Sequence, residues 1–344
     1  MLALWVMIFH LVQVPIIGTY AVFSFFILSG FLMTTIMHNT YGYNKNGIKR
    51  YALNRLLRLY PMYWAVALFS IISITIVSSE YSINYKNILY LPENISQVIY
   101  NVSMIFPALI PFHIEPRLSP PTWALTVEIF FYICIALGIS KTKKITLLWV
   151  TLSISYFIFS YAISLNWVHR YASIFGASLP FSLGALLFFY KSDIFYIINK
   201  LKISSPIIIL IIYVLNMALF TFNAQYHPFV SSNYIMEFGI YLNILFSLFV
   251  ITSLFYRGDK VFTKKFDKMI GDYSYPVYLS HWQCGLIASF ILYDSPAKGM
   301  NIEGIKVFLL ALLLVIVFSF ALIHLVDKNI SSIRNRIKAK SAKG

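Results

Sequence analysis

Long apolar stretches, repeated along almost the whole chain, constrain this sequence more than any single motif. Ten of them come close to the roughly 17 to 25 residues that an α-helix needs to cross a bilayer. Because backbone groups in lipid must be paired within the spanning segment, we expect an all-α polytopic membrane protein. With 59% hydrophobic and 11% charged residues, the chain does not have a soluble globular composition. The predicted spans are 1–14, 20–37, 60–79, 122–139, 145–163, 171–190, 205–222, 236–256, 274–293 and 305–326.

The lysines and arginines sort to one face when the connectors between spans are assigned alternately to two faces. Of the 27 lysines and arginines, 22 fall on one face. By the positive-inside rule this face is cytosolic, so we expect both termini to lie there. The net charge of +15 is then explained by topology, and nucleic acid is not expected as a partner. The basic residues of the other face are Lys86, Arg117, Arg170, Lys298 and Lys306.

The domain organisation is simple. Residues 1–328 are predicted to form one transmembrane domain, followed by a basic cytosolic tail at 329–344. Cys134 and Cys284 both fall inside predicted spans, so no disulfide is expected. The chain has no paired-cysteine metal spacing and no HExxH, GxSxG or P-loop motif, and no metal is expected. Span one lacks a basic leader and a small-residue cleavage site, so it is not interpreted as a signal peptide.

The stretch 23–64 fixes one membrane face, because it passes from an apolar span through a basic connector into the next apolar span. Within it, Arg55 and Arg58 are three residues apart and point the same way on a helical turn. Guanidinium groups match phosphate oxygens well, so these arginines are candidates for binding a cytosolic anion. The alternative is that they only anchor the connector to lipid headgroups. Ser29 and Gly30, inside span two, would let a helix or a ligand approach the backbone closely.

Two ionisable side chains lie inside predicted spans at matching depth. His10 precedes Pro15 by five residues and Glu128 follows Pro121 by seven, which places each about 7 to 10 Å below the outer boundary. A buried carboxylate needs a partner, and an intramembrane histidine is a functional candidate by default. We therefore predict that His10 and Glu128 form a pair. The alternative for His10 is an interfacial histidine bonded to a backbone carbonyl.

His281 and the connector 78–121 complete the set of candidates. Counted from the cytosolic start of span nine, His281 falls in the inner half of the membrane, away from His10. There it would serve the donor end of a cavity or a helix-to-helix hydrogen bond. The connector is too interrupted by proline to span and too apolar to be a free loop, which predicts an interfacial or re-entrant segment. It also carries four polar residues that would line an acceptor entrance or form a solvated loop face: His113, Glu115, Arg117 and Ser119.

Several motifs occur together and in a characteristic order. They are His10, the run FFILSGFLM, the segment RLLRLYPMYW, residues 123–128 followed by FFY, and the segment SYPVYLSHW. In this order they resemble the acyltransferase-3 family of bacterial integral-membrane O-acyltransferases, over nearly the whole chain. The family's arginine eleven residues before the helix-one histidine would fall before Met1, so we expect either a natural start further upstream or a chain without it. Ala124 stands where the family usually has serine.

The resemblance implies a ten-helix, multi-pass protein of the bacterial cytoplasmic (inner) membrane. Such a protein moves an acyl group, usually acetyl, from cytosolic acyl-CoA to a hydroxyl of a cell-surface glycan such as O-antigen or exopolysaccharide. Acetyl-CoA would be the acyl donor, with its phosphates against Arg55 and Arg58 and its pantetheine arm passing Ser29 and His281. The acceptor would be a glycan or a lipid-linked glycan, and the resemblance leaves open whether a separate soluble acyltransferase completes the transfer.

In the mechanism implied by this resemblance, a neutral His10 takes a proton from the acceptor hydroxyl. Glu128 would hold the tautomer of the ring and stabilise the imidazolium. Acyl transfer through the histidine itself is an alternative route. The competing function is a transporter or flippase for a lipid-linked saccharide, which would move its substrate without consuming acyl-CoA. A purely structural membrane subunit would leave the burial of Glu128 unexplained.

Overall fold

The computed structural model describes residues 1–202, 205–226, 233–258 and 263–341. Over these ranges the chain is built of helices and contains no β-strand, so the predicted all-α class is confirmed. Two five-residue π-helical turns, Met37–Tyr41 and Ile323–Asp327, extend α2 and α13. The α-helices are α1 Leu2–Leu11, α2 Ile17–Ile36, α3 Lys45–Val77, α4 Ser79–Tyr85, α5 Ile95–Ser103, α6 Thr122–Ala136, α7 Lys143–Ala162, α8 Trp167–Tyr171, α9 Ile174–Lys200, α10 Pro206–Tyr226, α11 Asn233–Arg257, α12 Lys264–Leu292, α13 Ile302–Leu322 and α14 Lys328–Ser341.

Within the described ranges, seven helical segments are long and apolar enough to cross a membrane. The predicted total of ten spans is not confirmed. Helices α1 and α6 are apolar but only 10 and 15 residues long, and α12 is not among the seven. The 33 residues of α3 make it about 50 Å long, well beyond a hydrocarbon core of roughly 30 Å. The architecture is that of a multi-pass membrane protein, and the cytosolic location of both termini stays a prediction.

Helix α2 lies at the centre of the bundle, packed against α1, α6, α9 and α11. Its contact with α9 is closest at a reciprocal pair of glycines. A Cβ atom on Gly30 would lie 2.1 Å from the carbonyl oxygen of Phe181, and one on Gly184 would lie 2.0 Å from that of Ile27. The two backbones therefore touch, which small residues in membrane helices permit. This contact explains why position 30 is a glycine. The side chain of its neighbour Ser29 takes no part in the contact.

The connector between α3 and α6 returns along α3. Tyr60 and Trp64 donate hydrogen bonds to the carbonyl oxygens of Ser103 and Val102, at 2.8 and 2.9 Å. Tyr63 donates to the carbonyl of Asn101. The aromatic residues that follow Arg58 in sequence thus bind the end of α5 to the middle of α3, and the interfacial or re-entrant character of the connector stays a prediction. The opposite side of α5 exposes a row of apolar side chains: Ile95, Val98, Ile99 and Val102.

The last part of this connector is buried. Arg117 is 1% exposed and donates to the carbonyl oxygens of residues 112, 114 and 120, at 2.6 to 3.0 Å. Ser119 is fully buried and donates to the carbonyl of Leu279 in α12, at 2.7 Å. The alternative of a solvated loop face is therefore wrong for these two residues, whereas His113 and Glu115 are exposed. Residues 117–121 form part of the bundle interior beside α12.

A buried ion pair, not anticipated from the sequence, joins α8 to α11. The guanidinium of Arg170 binds both carboxylate oxygens of Glu237, at 2.7 and 2.9 Å, and both side chains are at most 5% exposed. Tyr161 and Tyr241 donate further hydrogen bonds to the same carboxylate. Because each charge is fully paired, this cluster is assigned a structural role.

Candidate functional site

A cavity of about 360 Å³ opens between α2, α3, α6 and α12. Its polar lining includes Ser29 from α2, Arg55 and Arg58 from α3, and Glu128 and Tyr132 from α6. The structure therefore brings together four of the six residues predicted for the site. The remaining lining is mostly apolar and aromatic, which suits a long, thin organic ligand with a charged head.

The arginines at this cavity have guanidinium N–H donors that are only partly bonded by the described residues. Arg58 lies 3.4 Å from the Oδ1 atom of Asp327, and Arg334 of α14 lies 3.2 Å from the same oxygen. Arg55 binds the side-chain oxygen of Asn54 at 3.0 Å. The Nε atoms of Arg55 and Arg334 are buried and have no hydrogen-bond partner among the described residues. Arg55 and Arg58 of the cavity, together with Arg334 beside them, form a place where a phosphate would be bound well, and two of the three have a buried Nε donor without a partner in the described ranges.

Glu128 is bonded within this cavity. Its Oε1 atom accepts hydrogen bonds from the hydroxyl groups of Ser29 and Tyr132. The predicted pair of His10 with Glu128 is therefore wrong. The prediction counted depth from Pro121 as if that residue marked the membrane boundary, but Pro121 is buried in the bundle. Because Pro121 is enclosed by other residues, it is not a surface mark from which the level of Glu128 can be counted.

His10 lies near the other end of α2. The ring of its neighbour Phe9 packs where a side chain on Gly18 would be, close to the start of α2. Ser29, which binds Glu128, is eleven residues further along α2, or about 16 Å along the helix axis. His10 is thus roughly this far along α2 from the Ser29–Glu128 contact, whereas the cavity lining extends back toward His10 as far as Val22 and Tyr278.

His10 instead pairs with His281. The Nδ1 atom of His10 lies 2.8 Å from the Nε2 atom of His281, and the two ring planes differ by 6°. The predicted separation of these two histidines is therefore wrong. Helix α12 begins at Lys264, ten residues before the predicted start of span nine, so His281 lies in the second half of the helix. The early turns of α12 carry lysines and aspartates, which is why the apolar count missed them.

The hydrogen bonds of this pair define its tautomers. The Nδ1 atom of His281 lies 3.2 Å from the carbonyl oxygen of Val277, one turn earlier in α12. A carbonyl oxygen only accepts, so this nitrogen carries the proton, and the Nε2 atom of the neutral ring accepts from Nδ1–H of His10. The Nε2 atom of His10 then carries a lone pair and bonds to no described residue. His281 is fully buried, whereas His10 is half-buried and open to approach.

Tyr278 connects the two parts of the site. It lines the arginine-lined cavity, and its ring centroid lies 6.5 Å from that of His281. Its hydroxyl donates to the carbonyl of Pro121 at 3.0 Å, and Phe25 packs edge-on against it. His281 itself is not part of the cavity lining, and Tyr278 is the lining residue that packs next to it.

Sequence reasoning missed several of these residues. Tyr132 is one helical turn after Glu128, a spacing that could have signalled their contact. Arg334 lies in the predicted basic tail and Asp327 directly follows the last predicted span, and neither is predicted as part of the site. The side-chain amide of Asn54 holds α14 against α3, because it donates a hydrogen bond to the carbonyl of Arg334 at 3.0 Å. Among the described residues, no cluster of three or more histidine, cysteine or acidic side chains could hold a metal ion.

The fold and the site define a helical membrane protein with a basic, partly apolar cavity leading toward a paired-histidine centre. The chain belongs to the acyltransferase-3 family, since the model of that family's acyltransferase domain matches residues 1–324. No curated protein and no solved structure matches it. Family membership establishes a membrane acyltransferase in general.

Proposed function

We propose that this protein is an O-acyltransferase that moves an acyl group, most simply acetyl, from cytosolic acyl-CoA to a hydroxyl of a cell-surface glycan. One observation supports this proposal above the others: an oriented histidine pair lies next to Tyr278, and Tyr278 lines a cavity that also carries Arg55 and Arg58. A donor with a phosphate head and a long arm ending in a thioester fits that layout.

The donor head would lie against Arg55, Arg58 and Arg334. Coenzyme A carries phosphates at one end, and each arginine offers a planar fork of donors that matches phosphate oxygens. The two unpartnered Nε atoms are donors that such a phosphate would satisfy. The pantetheine arm would occupy the cavity past Ser29 and Glu128. The free carboxylate oxygen of Glu128, whose other oxygen is already bonded, would accept from an amide N–H of this arm.

Chemistry would take place at His10. Its Nε2 atom removes the proton of the acceptor hydroxyl as the oxygen attacks the thioester carbonyl carbon. The carbon–sulfur bond then breaks, and the imidazolium returns the proton to the departing thiolate. General-base help of this kind contributes about 10² to 10⁴ in rate. His281 acts here as a positioning residue, because it holds His10 in the tautomer that leaves Nε2 free.

The proposal is tested with the full chain in proteoliposomes, supplied with radiolabelled acetyl-CoA and a purified surface glycan. We expect release of free CoA coupled to an alkali-labile ester on the glycan, seen by mass spectrometry, and loss of both with His10→Ala. His113→Ala is the matched control, since this histidine is exposed outside the site. Equal turnover by the His10→Ala protein would remove His10 as the base. Movement of a lipid-linked saccharide across the vesicle without CoA release would instead identify a flippase.

A further inference from the structure

Two lysines and a tryptophan lie beside His10 and take no part in the chemistry described above. The Nζ atoms of Lys86 and Lys298 lie 5.3 and 5.5 Å from the ring of Trp282, and the same ring lies 5.0 Å from that of His10. We call Lys86, Lys298 and Trp282 the lysine–tryptophan site. The two lysines come from different connectors, one after α4 and one between α12 and α13, and the fold brings them together.

Both connectors are held firmly. The amide of Gly299 donates to the carbonyl of Leu11 at 2.9 Å, which fixes the second connector on the end of α1. Lys298 donates to the carbonyl of Tyr85, the residue before Lys86, and so ties the two connectors to each other. The lysines are therefore held next to the base candidate by the backbone.

The charge in this site is unbalanced. Lys86 forms no hydrogen bond or salt bridge with any residue in the described ranges, and within the same ranges Lys298 donates a single hydrogen bond, to the carbonyl of Tyr85. Burial, together with the charge of Lys86, lowers the pKa of Lys298 to about 8. The nearby charged groups are Arg117, which lowers the pKa of Lys86, and Glu115, which raises it. The region around His10 thus carries a net positive charge.

A further donor in the site has no partner. Trp282 is 3% exposed, and its indole Nε1 atom has no hydrogen-bond partner among the described residues. A buried donor without a partner is uncommon and indicates a group that binds there. Two ammonium groups and an indole N–H offer donors only, so the group they suit is an anion.

From this arrangement we infer that the lysine–tryptophan site binds a negatively charged group of the acceptor, a phosphate or a carboxylate, next to the hydroxyl that is acylated. The inference rests on the proposed function, since it names the acceptor's class. It also resolves a difficulty with the base. When His10 takes a proton, the positive charges of Lys86 and Lys298 disfavour the imidazolium. An anion bound at these lysines offsets their charge.

The test uses the reactivity of Lys298. With a pKa near 8, this amine is largely unprotonated under mildly alkaline conditions and reacts with trinitrobenzenesulfonate faster than an ordinary lysine. The rate is measured for each lysine by peptide mass spectrometry on the full chain in detergent, at constant ionic strength. The probes are glucose, glucuronate and glucose 1-phosphate, which share a ring and differ in charge.

We expect glucuronate or glucose 1-phosphate to slow the labelling of Lys298, by about threefold at twice the dissociation constant, and glucose to have no effect. The carboxylate and phosphate arms decide which anion the site prefers. Lys306, exposed on the first turn of α13, is the internal control, and its labelling should not change. Lys86→Gln should abolish the protection, and Lys306→Gln should preserve it.

Equal protection by glucose, or protection of Lys306 to the same extent, would overturn the inference. So would absence of protection in a protein that still releases CoA in the presence of a glycan. Because labelling needs no turnover, the outcome is separate from that of the proposed function. Protection without acyl transfer would support the anion site and contradict the proposed acyltransferase function. Acyl transfer without protection would support the acyltransferase function and contradict the anion site.

Discussion

His10 and His281 form a hydrogen bond of 2.8 Å between Nδ1 of the first ring and Nε2 of the second, and His281 is in turn bonded to the carbonyl of Val277. Each of these hydrogen bonds fixes which ring nitrogen carries the proton, so each neutral ring has one tautomer. The chain ends at the Nε2 atom of His10, with its lone pair available. A buried histidine thus takes the orienting position that a carboxylate often holds beside a catalytic histidine, without adding a negative charge to the interior.

The first prediction concerns this orienting role. His281→Ala should lower kcat by about tenfold to a hundredfold, because His10 loses the partner that fixes its tautomer. His281→Gln should retain more of the activity, since the glutamine side-chain oxygen can accept from Nδ1–H of His10. The apparent KM for acetyl-CoA should stay unchanged, because the proposed site for the donor head, at Arg55, Arg58 and Arg334, does not include His281. The measurement is the initial rate of CoA release over a pH series. The acidic limb of this pH–rate profile should move in the alanine variant.

A merely structural role for His281 would give a different pattern. The alanine and glutamine variants would then lose activity and thermal stability together, with no change in the shape of the pH profile.

The second prediction concerns the C-terminal helix. Arg334 and Arg58 both bind Oδ1 of Asp327, and Arg334 keeps a buried, unpartnered Nε atom. Arg334→Ala should raise the KM for acetyl-CoA by about tenfold or more, as expected for one lost hydrogen bond to a charged group. Arg336→Ala is the matched control, since this arginine lies in the same helix and is exposed.

A donor lacking the 3′-phosphate sharpens this experiment. If Arg334 binds that phosphate, dephospho-CoA thioesters should show the same KM with wild type and with Arg334→Ala. Equal KM values for acetyl-CoA in the Arg334→Ala and Arg336→Ala proteins would exclude Arg334 from the donor site.

The sequence predicts the fold class and singles out four residues that the structure places in one cavity, and the reasons are local. Arg55 and Arg58 share a helical face, and Ser29 sits in an apolar helix, so their chemistry can be inferred from spacing. The partners of the intramembrane charges cannot, because depth counted from a proline says nothing about neighbours. Pro121 shows this directly: it lies inside the bundle, so the level inferred for Glu128 was wrong.

The charged start of α12 is the second instructive case. The search for apolar stretches begins the span at 274, whereas the helix begins at Lys264 and carries His281 to the level of His10. A helix continues through charged residues wherever it projects beyond lipid, so apolar boundaries and helix boundaries differ. Long-range contacts such as that of Arg58 with Asp327, which are 269 residues apart, leave no local trace in the sequence.

The third prediction concerns Glu128. Its Oε1 atom accepts from Ser29 and Tyr132. Glu128→Gln keeps the shape of the side chain but removes the charge, so we expect a weaker hold on the donor arm and a KM for acetyl-CoA raised by about tenfold. The rate at saturating donor should fall much less than with His10→Ala. A Glu128→Gln protein that matches His10→Ala in kcat, with unchanged KM, would place the carboxyl group in the chemical step.

The last prediction tests whether the close contact between α2 and α9 determines the geometry of the site. Gly30→Ala places a methyl group against the carbonyl of Phe181, and Gly184→Ala places one against that of Ile27, both closer than real side-chain atoms approach backbone. The helices must separate, which should lower thermal stability and shift Ser29 away from Glu128. We expect losses of about 1 to 3 kcal/mol for each variant, the usual range for overpacking. Gly258→Ala is the control, because an added methyl group there meets no described atom within 4 Å.

Stability and donor KM should change together in the two glycine variants, since one displacement causes both. The melting temperature in detergent and the KM for acetyl-CoA are the two measurements. The double variant should be no worse than the more affected single one, because helices already moved apart by one methyl group have room for the second. Full additivity would mean that the two glycines act at separate contacts, and an unchanged melting temperature in either single variant would show that α2 and α9 do not pack this closely.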